Sequence, residues 1–182
     1  MMKRLASVLA AVSTTWLTLA LVTPTAVASA ALDNADTSFP INEVTQLEVH
    51  TTANCVLADA RCYFRAAANL RTPEGPTGFP PDLWARQTTT LRSSDRTVYL
   101  DSDWDAPNTR MFKSIGPVEF TTIYFGEGPV EKYQINGYTR TTDWVTGLPK
   151  TDADYIVCAQ IQVVYTGVNV TSPSTCAQTT YS

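Results

Sequence analysis

Three aspartates at alternate positions, Asp101, Asp103 and Asp105, form the densest set of chemistry-bearing side chains in this 182-residue chain. Hard cations such as Ca²⁺ take several carboxylate and carbonyl oxygens, and a D-x-D-x-D segment followed by Pro107 and Asn108 can supply them. The match to an EF-hand loop fails at two positions: Ala106 stands where glycine is needed, and Phe112 where the bidentate glutamate would be. The competing reading is a solvated acidic turn at the end of a strand. Ca²⁺ is thus the one ion the residues suit, and no motif calls for an organic cofactor.

The second set is aromatic. Trp84, Trp104 and Trp144, with Tyr99, Tyr124, Tyr133 and Tyr138, supply flat faces that suit sugar rings when carboxylates and amides flank them. Packing into a core is the ordinary fate of such rings. Trp104 has aspartates on both sides, so it is the ring expected to stay nearest water, and the three tryptophans are the ligand-binding candidates.

Catalytic readings find less to stand on. There is no G-x-S-x-G elbow, and His50 is the single histidine, in an alternating segment without a local serine or aspartate signature. Carboxylates such as Glu119, Glu127, Glu131 and Asp143 offer pairs that a small hydrolase could use, but nothing singles out one pair. No catalytic residue is assigned, and a binding protein is the expected class, with a carboxylate hydrolase as the alternative.

What must position these residues follows from the rest of the chain. Lys3 and Arg4, an apolar stretch over 5–22 and the small-residue site Ala28-Ser29-Ala30 read as a secretory signal peptide over residues 1–30. Ser13, Thr14, Thr15, Thr18 and Pro24 make that stretch a poor permanent span, so export without stable membrane insertion is expected. The 152 residues that remain suit one domain burying roughly 70% of its unfolded surface. Two of the thirteen basic residues lie in the leader, leaving eleven against seventeen acidic ones, a charge of −6. No Lys/Arg cluster occurs beyond the leader, which argues against nucleic acid or an anionic membrane as partner.

Cys55, Cys62, Cys158 and Cys176 all follow the leader, and an even count in an exported chain implies two disulfides. Zinc spacing is absent. Of the three connectivities, the simplest pairs near neighbours, Cys55 with Cys62 and Cys158 with Cys176. Cys158 and Cys176 are equidistant from Gly167, so a hairpin turning there would set them side by side on adjacent strands.

Period-two patterning dominates. In 62–70, Cys62, Phe64, Ala66, Ala68 and Leu70 share one face, and Tyr63, Arg65, Ala67 and Asn69 the other. Further strands are expected over 43–51, 83–92, 96–101, 118–125, 130–140, 155–165 and 174–180, separated by clusters such as Pro73-Glu74-Gly75-Pro76 and Gly126-Glu127-Gly128-Pro129. In 155–165, Tyr155, Val157, Ala159, Ile161, Val163 and Tyr165 form the core face. About eight short strands with such punctuation predict an all-β, antiparallel β-sandwich over 41–182, preceded by a flexible tail over 31–40. The proline-rich connection 72–82 reads first as a long, exposed strand connection stiffened by proline, and second as a preordered loop that would serve an inhibitor or other protein-binding module.

The segment Asp152-Ala153-Asp154-Tyr155-Ile156-Val157-Cys158 resembles the immunoglobulin arrangement of a tyrosine before a core cysteine, with a spacing of three where that fold has two. The odd spacing sends the two side chains to opposite faces, so the resemblance is to immunoglobulin-like architecture. With its Ala/Thr-rich leader and Cys62-Tyr63-Phe64-Arg65-Ala66, the chain resembles small secreted β-sandwich proteins of unassigned function from mycobacteria and related actinobacteria. That resemblance brings no catalytic residues with it, and the expectation for the chain is a secreted or envelope-associated binding protein partnered by a protein or a cell-wall glycan.

Overall fold

The computed structural model describes residues 32–94, 96–114 and 116–182, so the expected signal peptide lies outside the described residues. Alternating sequence becomes strand nearly everywhere. In chain order the strands are β1 (Leu32–Pro40), β2 (Gln46–Val56), β3 (Arg61–Thr72), β4 (Gly75–Thr77), β5 (Trp84–Ser93), β6 (Val98–Asp105), β7 (Thr109–Lys113), β8 (Val118–Phe125), β9 (Gln134–Asp143), β10 (Tyr155–Tyr165), β11 (Val168–Thr171) and β12 (Thr175–Thr179). One 3-10 turn, Val130–Lys132, precedes β9.

They form two antiparallel sheets packed face to face. The first runs β1-β2-β3-β9-β6, with β4 folded onto the end of β3. The second runs β11-β10-β5-β8-β7, with β12 continuing along the edge of β10 that β11 occupies. Inward residues of both sheets make one core, including Leu47, Val49, Leu91, Ile135, Tyr155 and Ile161, all fully buried. Phe64 of the first sheet stacks on Phe120 of the second with ring centroids 5.5 Å apart. Burying this contiguous apolar layer is what holds two amphipathic sheets together. The all-β sandwich expected from the patterning is what the chain forms.

Both disulfides are the near-neighbour pairs, Cys55–Cys62 between β2 and β3, and Cys158–Cys176 between β10 and β12. Each joins register partners within one sheet, whereas the immunoglobulin bridge crosses between sheets. In the middle of the chain β5 and β8 are neighbours in the second sheet, while β6 between them in sequence belongs to the first.

Three local expectations change. Residues 32–40, read as a flexible tail, are the edge strand β1, paired with β2 along its whole length from Leu32↔Asn54 to Pro40↔Gln46. Ala35 and Phe39 pack against the core while Asn34, Asp36 and Ser38 face outward, a polar alternation weak enough to pass for a tail. Asp101, Asp103 and Asp105 lie within strand β6 rather than in a turn. The proline-rich loop is pinned: Gly75–Thr77 pairs with β3, and Phe79 is buried edge-on against Tyr133.

Candidate functional site

Strand alternation decides which side chains reach the outer face of the first sheet, and register decides which of them meet. Across β2, β3, β9 and β6 one row of partners reads Asn54, Tyr63, Tyr138, Asp103. The next reads Thr52, Arg65, Asn136, Asp105, with Asn34 of β1 beside Thr52. A third reads Asp36, His50, Ala67, Gln134. Neighbours within a row are about 4.8 Å apart and rows about 7 Å apart.

The first two rows enclose a depression of about 350 Å³ lined by Tyr63, Tyr138, Asn136, Gly137, Asp103, Trp104 and Asp105. The tyrosine rings lie 6.3 Å apart and tilted at 56°. Tyr63 donates its hydroxyl to Asp59 at 3.1 Å and Tyr138 to Asp103 at 3.4 Å, while the Arg61 guanidinium sits 4.5 Å from the Tyr138 ring centroid. Gly137 lines this depression with its backbone, and on its core side nothing larger fits: a Cβ there would meet Phe64 Cζ at 2.7 Å and collide with the Asp103 carbonyl. The result is two anchored aromatic rings beside carboxylates and an amide, on an otherwise open sheet.

A second depression, of about 400 Å³, lies over β1, β2 and β3, with Ala67 as part of its lining and Arg65, Asn34, Thr52 and Val130 around it. His50 is fixed in it, Nδ1 2.5 Å from Asp36 Oδ1 and Nε2 2.8 Å from Asn69 Oδ1. Asn69 donates its amide to Glu48 at 3.0 Å, and Glu48 also binds the Arg71 guanidinium. Burial pushes the Glu48 carboxyl up, but the bonds from Arg71 and Asn69 and the attraction of Arg71 and His50 outweigh it, so its pKa falls below the ordinary glutamate value.

The aspartate triplet shares the outward side of β6, each carboxylate about 7 Å from the next along the strand. Asp101 is held by Lys113 at 3.4 Å and Arg140 at 3.7 Å, and Asp103 caps the backbone N–H of Trp104 at 2.9 Å. Among the described residues no group of three or more acidic, histidine or cysteine side chains is gathered to hold a metal ion.

The tryptophans do not come together. Trp104 alternates with the aspartates, so its ring goes to the opposite side of β6 and packs 5.1 Å from buried Phe120. Its acidic neighbours therefore say nothing about its own surroundings. Trp84 is on the outer face of the second sheet beside Phe125, and Trp144 follows β9, edge-on to Tyr99 at 5.2 Å. The residues the sequence reading missed are Tyr63, Asn136, Arg65 and the His50 network. Their signal was the outward half of the 62–70 alternation, a run of polar and aromatic residues that reads simply as a solvated face until β9 is known to lie beside it.

No protein-family model matches this chain, and no curated protein matches it in sequence. The two disulfides suit an oxidising compartment, and among the described residues no helix is long and apolar enough to cross a membrane.

Proposed function

We propose that this is an exported, non-catalytic protein that binds a cell-envelope glycan on the outer face of its first sheet. The observation that carries the reading is the Tyr63/Tyr138 pair set beside Asp103, Asp105 and Asn136 in one depression. Tyrosine rings offer apolar faces to the C–H side of a sugar, and fixed carboxylate and amide groups take its hydroxyls. The rigid sheet holds these groups in place before the ligand arrives, which limits the entropy lost on binding. The carboxylates are exposed on an open face rather than enclosed where a general acid could be tuned, which favours binding over hydrolysis. The resemblance to small secreted actinobacterial proteins agrees with export.

The test is retention on insoluble cell-wall polysaccharide. Tyr63→Ala and Tyr138→Ala should each weaken retention about tenfold, as expected for central aromatic anchors. Trp84→Ala, on the opposite sheet, should leave retention unchanged. Equal loss in all three variants, or no retention of the parent protein, would remove this face as a glycan site.

A further inference from the structure

We propose that the ligand of this face is an acidic polysaccharide, with a uronate carboxylate held by Arg65 and an adjoining neutral sugar lying over Tyr63 and Tyr138. The inference rests on the glycan reading above and specifies its chemistry.

The charges on this face are mostly spoken for. Glu48 is held by Arg71 and Asn69, Asp36 by His50, and Asp101 by Lys113 and Arg140. Arg61 lies over the Tyr138 ring. Arg65 differs: it is exposed, and among the described residues it has no hydrogen bond, ion pair or ring contact. A guanidinium presents parallel N–H donors that match a carboxylate in bidentate fashion, and this one is left to face the ligand.

Its place matters as much as its freedom. Arg65 lines the His50 depression and is the register partner of Asn136, which lines the tyrosine depression, so the pair forms the wall between the two. Ala67, next along the same face of β3, leaves room beside the guanidinium for a ring. From β2 to β6 the face spans about 14 Å, enough for successive sugars to occupy both depressions.

The two depressions differ in their unpartnered charges. Asp36 bonds the His50 ring and Glu48 bonds Arg71 and Asn69, which leaves Arg65 as the charged side chain there without a partner among the described residues. In the tyrosine depression Asp105 is free, and Asp103 is bound only by neutral donors. A carboxylate at Arg65 would sit two strands from Asp105, about 10 Å. That exceeds the Debye length of about 8 Å at physiological salt, so the repulsion is largely screened. Hydroxyls of the neighbouring neutral sugar donate to the two aspartates.

Affinity electrophoresis at physiological salt, run with hyaluronan and unsulfated chondroitin, in which uronates alternate with neutral sugars, and with both polymers after carboxyl reduction, tests the proposal. The oxidised protein should be retarded by the native polymers about tenfold more strongly than by the reduced ones, the difference one charge-assisted pair makes. Arg65→Gln should abolish that difference while leaving retardation by reduced polymer unchanged. Arg86→Gln, on the outer face of the second sheet, should change nothing. Equal retardation by native and reduced polymers, or an Arg65→Gln protein that still discriminates, would overturn the proposal and leave the glycan reading in place. No retardation by any of the four polymers would overturn both.

Discussion

The backbone N–H of Ile161 donates to the Oγ of Ser172 at 3.1 Å, and this side-chain bond sits where the β10 hairpin changes register. From the turn at Thr166 and Gly167, β11 pairs with β10 as Val168↔Tyr165 through Thr171↔Gln162. Continued without interruption, that register would face Cys158 with Thr175 and send Cys176 to the wrong side of the sheet. Ser172 lends its hydroxyl in place of its own carbonyl, which instead accepts from the Gln160 side chain at 3.0 Å, and one residue is bulged out before β12. The shifted register brings Cys176 opposite Cys158, where the disulfide forms.

Ser172→Ala should therefore cost about 1–3 kcal/mol, because it strips a buried backbone N–H of its acceptor. Urea denaturation of the oxidised protein measures the loss. Refolding from the reduced state should also yield more mispaired disulfide in this variant than in the parent, read by peptide mapping without reduction.

Trp104→Ala should destabilise by about 3 kcal/mol, since the ring packs on Phe120 at the edge of the core. Trp84→Ala should stay within about 0.5 kcal/mol, because that ring is exposed on the opposite sheet. Comparable denaturation midpoints for the two variants would contradict the placement of Trp104 on the core side.

Glu48 links stability to pH. Its pKa is lowered on folding, so its contribution is present in full above the unfolded glutamate value and is lost as pH falls through the depressed folded value. Thermal melts from neutral to acid pH should show the parent losing stability across the carboxylate range, and Glu48→Gln should flatten that part of the profile while lowering stability at neutral pH.

Millimolar Ca²⁺ should leave the Tm unchanged. The aspartates stand about 7 Å apart along one strand, and Asp101 is engaged by two cationic side chains. A Ca²⁺-dependent rise in Tm that disappears in Asp103→Ala would instead establish a cation site on β6, through preferential binding to the folded state.

Alternation along the chain was enough to divide residues between faces, because a strand turns its side chains over at every step regardless of its partners. It placed Tyr155 inward and Cys158 outward, paired the cysteines with their near neighbours, and specified a sandwich from the spacing of its turns. The same rule puts Trp104 opposite Asp103 and Asp105, although adjacency in sequence suggested a shared environment. What lies beside what was beyond its reach. That β1 pairs with β2, that β9 sits between β3 and β6 and so brings Tyr138 to Tyr63 and Asp105 into line with Arg65, and that one bulge after Ser172 corrects the β12 register, are decided by packing between distant segments. Local patterning fixes a side chain's face, whereas its neighbours across the sheet depend on strand order and register, which are set only when the whole core closes.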